Sequence, residues 1–179
     1  MTSALAKPES TLDVGIIGVS PDRGWAAIAH IPALRALPSY EIRALSAHSA
    51  ESARAAGEVF GVSAVFSDHE QLVARPDIDV VAVTVRVPHH RELVTAALTA
   101  GKAVYCEWPL GRDLDDARAM AALATGHGLR TVVGLQARQA RQAPASSSKS
   151  CSATDTSARS CWARRVPPPL FGSAAKRAR

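Results

Sequence analysis

Residues 12–29, LDVGIIGVSPDRGWAAIA, constrain the fold more than any other stretch of the chain. The apolar residues Val14, Ile16 and Ile17 run into Gly18. Small and polar residues then lead to Gly24, and a helix-forming segment opens at Trp25. A strand, a tight turn and a helix start in this order build the first turn of a βαβ unit that receives a dinucleotide phosphate. Glycines let the backbone approach the anion, and the unpaired N–H groups at the helix start take up its charge. The turn Gly18-Val-Ser20-Pro-Asp-Arg-Gly24 departs from a strict G-x-G-x-x-G. Ser20 stands for the second glycine and the last glycine comes one residue late, so a generic strand–helix turn is the alternative reading.

Strand and helix patterns alternate from there on. Residues 25–37 are helical in composition, Pro38 ends them, and Pro32 is expected to kink the run or divide it. Strands are predicted at 40–46, 62–66, 79–85, 103–106 and 131–135. Helices are predicted at 50–60 (with Gly61 just past the end), 68–74 (with Asp68 as N-cap), 90–100 and 114–126. The run DVVAVTV at 79–85 is apolar almost throughout, as a strand buried on both faces should be. Short connections between alternating elements indicate an α/β fold, a Rossmann-type doubly wound parallel sheet. Ligands of such sheets bind outside the carboxyl ends of the strands. The segments after the strands, 19–25, 47–52, 86–90, 107–109 and 136–138, are therefore the site candidates.

Charge is distributed unevenly. Residues 1–144 carry 14 Lys and Arg against 15 Asp and Glu, whereas residues 145–179 carry 7 against 1, so the formal charge of +5 belongs to the tail. A near-neutral globular body with a cationic appendage fits this better than a nucleic-acid-binding protein; nucleic-acid binding by the tail is the alternative. Cys106, Cys151 and Cys161 show no zinc or disulfide spacing, and Cys106 reads as a small core residue. The first 13 residues contain no apolar h-region, and no apolar run approaches the ~20 residues of a membrane span. A cytoplasmic protein with no membrane partner is expected.

At the exit of the second strand, NAD sites carry an Asp or Glu for the ribose hydroxyls. Here the segment is Ala47-His48-Ser49-Ala-Glu-Ser52-Ala-Arg54, with no carboxylate directly at the strand end. Ser49, Ser52 and Arg54 suit a 2′-phosphate, with His48 nearby, which favours NADP, with NAD as the second choice. Alternatively, Ser49 caps the next helix and Arg54 is a solvated face residue. In Val85-Arg-Val-Pro88-His89-His90, adjacent histidines cannot clamp one metal, so no metal site is assigned. His90 is either a ligand contact or a polar residue at a helix start. Glu107-Trp108-Pro109 is either a rigid turn facing the nicotinamide or an ordinary strand exit.

The order of these motifs resembles the N-terminal domain of the Gfo/Idh/MocA oxidoreductase family, over roughly residues 12–142. That family places a glycine turn after the first strand, T-P-N-x-x-H after the fourth and E-K-P after the fifth. This chain has 18–24, then Thr84-Val-Arg-Val-Pro88-His89-His90, then Glu107-Trp108-Pro109. The segments RGWAAIAHIPAL, EWPL and GLQAR are most like the branch that includes the yeast galactose-pathway repressor. The resemblance implies that Gly18, Ser20, Gly24 and Trp25 line the pyrophosphate and that Ser49, Ser52 and Arg54 meet the adenosine ribose. Pro88, His90, Glu107, Trp108 and Pro109 would border the nicotinamide half. It implies hydride transfer to or from a sugar-like or small alcohol or ketone in the intact relative, or a cofactor-sensing regulator without catalysis. No catalytic residue is assigned. The family's lysine of E-K-P is Trp108 here, and an indole N–H is no general acid–base at neutral pH.

The family continues into a C-terminal α+β substrate domain that this chain is expected to lack. Residues 1–11 are expected to be a disordered lead, 12–142 the nucleotide-binding domain, and 143–179 a basic, Ser-rich disordered tail. The tail also reads as translation out of frame. A GC-rich back-translation of 145–162 shifted by two bases admits an amphipathic helix followed by D-G-Y-V-G-E-V.

Overall fold

The computed structural model describes residues 11–135. The expectations for residues 1–10, for the segment 136–142 and for the tail 143–179 lie outside the described residues.

Six strands form one parallel sheet in the order β3-β2-β1-β4-β5-β6. They are β1 (Leu12–Ile17), β2 (Tyr40–Ser46), β3 (Ala64–Phe66), β4 (Val80–Val83), β5 (Ala103–Glu107) and β6 (Thr131–Gly134). The helices are α1 (Ile31–Arg35), α2 (Ala50–Phe60), α3 (His69–Val73), α4 (His90–Thr99) and α5 (Leu114–Gly126). Chain order reverses on either side of β1: β2 and β3 lie to one side, β4 to β6 to the other. The crevice at that reversal is where an open α/β sheet takes its ligand.

Side-chain alternation along the strands fills a core on each face. Val14 and Ile16 of β1, Leu45 of β2 and Ala82 of β4 pack with Ile31, Leu34 and Phe60 under α1 and α2. Ile17, Ala44, Val81 and Val83 pack with Leu72, Leu93, Leu98 and Met120 under α3, α4 and α5. A strand buried on both faces has no polar side to show, which accounts for the apolar run at β4.

The helical segment expected over 25–37, with Pro32 to kink or divide it, is divided in two. Ala26–His30 is a π-helical turn, in which the N–H of Ile31 reaches the carbonyl of Ala26, and α1 follows with Pro32 in its first turn. Proline has no N–H to give the Ile28 carbonyl, so the α ladder cannot continue through position 32; the wider turn absorbs the gap. Ser49, Asp68 and Asp113 cap α2, α3 and α5, each side chain accepting a backbone N–H two or three residues on. Among the described residues, no helix is long and apolar enough to cross a membrane.

Candidate functional site

The turn after β1 is fixed from both neighbouring strands. The N–H groups of Gly18 and Val19 donate to the Ser46 carbonyl at the end of β2, at 2.9 and 3.1 Å. On the other side, Thr84, just past β4, donates both its N–H and its Oγ1 to the Ile17 carbonyl, at 2.9 and 2.8 Å. Gly18 has φ +95°, and a Cβ there would stand 2.6 Å from Val85 Cγ1. Only glycine passes through this gap without displacing a neighbour. Gly24 has φ +88° with open space where a Cβ would be, and its carbonyl accepts the Ile28 N–H. The Ser20 hydroxyl donates to Asp22 at 2.8 Å, and that bond with the Asp22 backbone N–H holds this carboxyl below its ordinary range. Trp25 is half exposed at the helix start.

An open cleft of about 450 Å³ spreads from this turn across the carboxyl ends of β1 to β4. Gly18, Val19 and Ser20 line it, together with residues from the exits of β2, β3 and β4. Of the residues singled out from sequence, the cleft brings together Gly18 and Ser20 with His48. It does not take in Ser49, Ser52 or Arg54. The Ser49 oxygen accepts the Ser52 N–H at 3.1 Å as the cap of α2, and Arg54 lies on the exposed face of that helix. The cleft adds Arg23 and Arg86, which lie within strand-exit segments marked by the sequence, and Ser67 and His69, which do not.

The β5 exit is organised by two buried histidines. His30, on the π-helical turn, is 1% exposed; its Nε2 meets Glu107 Oε1, and its ring packs edge-on against Tyr105 with centroids 5.2 Å apart. His90 is equally buried. Its Nδ1 lies 3.1 Å from the carbonyls of Pro109 and Leu110, and its Nε2 lies 3.0 Å from the Val85 carbonyl. His90 thus ties the β4 exit to the β5 exit from beneath the surface and is not on the wall of the cleft. Pro88, Trp108 and Pro109 are exposed, and the Trp108 indole is two-thirds accessible. Burial pushes the Cys106 thiol up to about 12, and the neighbouring Glu107 charge adds to the shift, consistent with a core role.

The sheet order, the turn at its first exit and the cleft at the reversal point define a Rossmann-type nucleotide-binding domain. The chain belongs to the Gfo/Idh/MocA family: the family model described as "Oxidoreductase family, NAD-binding Rossmann fold" matches residues 12–135. It is 40% identical over 136 residues to dehydrogenase aclE of Aspergillus oryzae, covering 72% of this chain and 37% of that protein. It is 29% identical over 135 residues to the galactose/lactose metabolism regulatory protein GAL80 of Saccharomyces cerevisiae, covering 70% and 31%. GAL80 is thus among the relatives, with a dehydrogenase more similar. Among solved structures, a mutant of KijD10 superposes with a TM-score of 0.66 at 32% identity, over 74% of this chain and 42% of that one. KijD10 is described as a 3-ketoreductase from Actinomadura kijaniata in complex with TDP-benzene and NADP. The chain spans about a third of the length of the curated relatives it matches.

Proposed function

We propose that this domain binds NADP and forms the cofactor half of a hydride-transfer enzyme acting on a sugar-like or other small alcohol or ketone. The observation that carries this reading is the Gly18 turn, held between Ser46 and Thr84 at the reversal point of the sheet. With the Gly18 and Val19 N–H groups committed to Ser46, the main-chain N–H groups further along the turn and the open Gly24 suit the pyrophosphate, with Ser20 and Trp25 beside it. The cleft walls fit the rest of a polyanion: among the described residues they offer hydroxyl, imidazole and guanidinium groups and no carboxylate. Glu107, Trp108, Pro109 and Pro88 border the nicotinamide end, with His90 and His30 holding that turn in position. When bound, the reduced nicotinamide supplies a hydride. Position 108, after Glu107, cannot offer the proton that must accompany it, because it is an indole. The chain alone is therefore expected to bind the dinucleotide without turnover. Calorimetry on the 179-residue chain tests this: heat with NADP and no NADPH formed in the presence of a sugar panel is the expected result, and no heat with NADP or NAD refutes it.

Trp108 favours a second reading, that of a cofactor-sensing regulator without catalysis, and the similarity to GAL80 accords with it. Joining this domain to the substrate domain of a dehydrogenase relative and assaying hydride transfer separates the two. Turnover restored by Trp108→Lys and absent without it supports the regulatory reading.

A further inference from the structure

We infer that Arg23, with His48, is the determinant that selects a 2′-phosphorylated dinucleotide, and that Arg54 is not. This rests on the dinucleotide reading above and goes further by assigning the discriminating residues.

Most arginines of the domain are already engaged. Arg43 pairs with Asp13 and Glu41, Arg75 with Asp77, Arg91 and Arg112 with Asp116, Arg118 with Asp115, and Arg35 donates to the Phe60 carbonyl. The side chains of Arg23, Arg54 and Arg86 have no hydrogen bond or ion pair among the described residues, although the Arg23 charge acts on the adjacent Asp22. Two of these, Arg23 and Arg86, line the cleft, and Arg54 does not. An unengaged guanidinium facing an open cleft is suited to bidentate capture of a phosphate.

Topology decides between the two. The adenosine ribose of a Rossmann site lies at the exit of β2. The turn that carries Arg23 is bonded to that exit through the Ser46 carbonyl, and His48 stands two residues beyond it on the same cleft. Arg86 follows β4, on the opposite side of β1. The carboxylates nearest in sequence do not line the cleft: Asp22 is exposed and holds the Ser20 hydroxyl, Glu51 is exposed in the first turn of α2, and Asp68 is occupied in capping α3. The β1 turn and the β2 exit together therefore present a cation and an imidazole on the cleft where an unphosphorylated ribose would call for a carboxylate.

The test measures dissociation constants for NADP and NAD by calorimetry on the 179-residue chain, with Arg23→Gln, Arg54→Gln and, as a neutral comparison on α5, Arg118→Gln. The wild-type chain is expected to bind NADP more tightly than NAD. Arg23→Gln is expected to weaken NADP by about 10- to 100-fold, the scale of a lost charge-assisted bond, and NAD by less than about threefold. The discrimination should also shrink as salt is raised. Arg23 is exposed, so circular dichroism should show the variant folded, and 2′,5′-ADP against 5′-AMP repeats the comparison on the fragment alone. Equal losses for NADP and NAD would place Arg23 on the pyrophosphate and overturn the assignment. So would a selective loss in Arg54→Gln instead, or a wild-type chain that prefers NAD. Absence of any binding to either dinucleotide removes the underlying reading, and this assignment with it.

Discussion

Replacing Gly18 by alanine should destabilise the domain more than any other single methyl added to the turn. Two terms combine. An L-residue held on the left-handed side costs about 1–2 kcal/mol, and φ +95° lies beyond the usual left-handed minimum. The new Cβ would also meet Val85 Cγ1 at 2.6 Å, the Thr84 carbonyl carbon at 3.0 Å and its oxygen at 3.1 Å. Relief requires the β4 exit to move, and overpacking of this kind costs about 1–3 kcal/mol. The sum, about 2–5 kcal/mol, is a large share of the roughly 5–15 kcal/mol that holds an ordinary domain together. Gly24→Ala is the internal comparison: its φ is +88° and nothing lies within 4 Å of a Cβ, so it incurs the backbone term alone. Urea unfolding followed by circular dichroism reads both variants. With a slope of about 2 kcal/mol per molar, Gly18→Ala should lower the midpoint by about 1–2.5 M and Gly24→Ala by less than about 1 M. The double variant Gly18→Ala/Val85→Ala should recover part of the steric term as a coupling energy of about 0.5–3 kcal/mol. Equal losses at Gly18 and Gly24, or additive losses at Gly18 and Val85, would refute the account of a turn threaded through a gap at β4.

Gly57, inside α2, runs against helix propensity. Alanine there should destabilise by about 1–3 kcal/mol rather than stabilise, because its Cβ would lie 2.6 Å from Val65 Cγ1 and 2.8 Å from the Val62 carbonyl oxygen; a raised melting temperature would contradict this. Cys106, with its thiol pushed up to about 12 and its side chain buried, should not react with DTNB at pH 8 in a chain carrying Cys151→Ser and Cys161→Ser. One equivalent released before unfolding would contradict that. Asp116 accepts from the side chains of Arg112 and Arg91, which hold its carboxyl well below the usual range. Its folded-state pKa lies below the unfolded value near ~3.9, so its contribution is complete above that pH and is lost as pH falls. Asp116→Asn should flatten the acid limb of the stability curve, and an unchanged limb would sink the assignment.

The sheet was legible because its signals are local. Apolar runs such as 79–85 need no partner to be recognised, and Gly61 and Asp68 mark helix ends by their own chemistry. Ser49 has two plausible uses in the sequence, a helix cap or a phosphate ligand, and only the Ser52 N–H at 3.1 Å places its oxygen in the cap. His30 was not singled out, because its significance lies in a carboxylate 77 positions away; the only local sign was an imidazole within the apolar run 26–34. Ser67 and His69 follow a strand whose end at Phe66 the sequence places correctly, but the segment after it carries no motif of its own, and only the cleft shows that it faces the Gly18 turn. By sequence Asp116 is one of three acids, with Asp113 and Asp115, at the start of α5. It is in fact the buried one, joined to α4 through Arg91. In each case the missing information was a contact between elements, which residue type and spacing alone do not specify.

The two buried histidines explain how the β5 exit keeps its place while its chemistry changes. The His90 ring lies between the carbonyls of Val85, Pro109 and Leu110, 3.0–3.1 Å from its nitrogens, and these are backbone atoms present whatever side chains those positions carry. His30 fixes Glu107 from a different element. The position between Glu107 and Pro109 takes no part in either tie, and its side chain projects into solvent. A lysine or a tryptophan can therefore occupy position 108 on the same turn, one able to carry a proton and the other not. In the segment Thr84-Val-Arg-Val-Pro88 the side chains of Arg86 and Pro88 have the same latitude, since the commitments there are the Thr84 bonds to Ile17, the packing of Val85 and the carbonyls of Val85, Arg86 and Val87. A site held this way by backbone bonds and buried imidazoles leaves its exposed side chains free to differ, so whether such a domain serves hydride transfer or ligand sensing is decided by residues that the fold does not need.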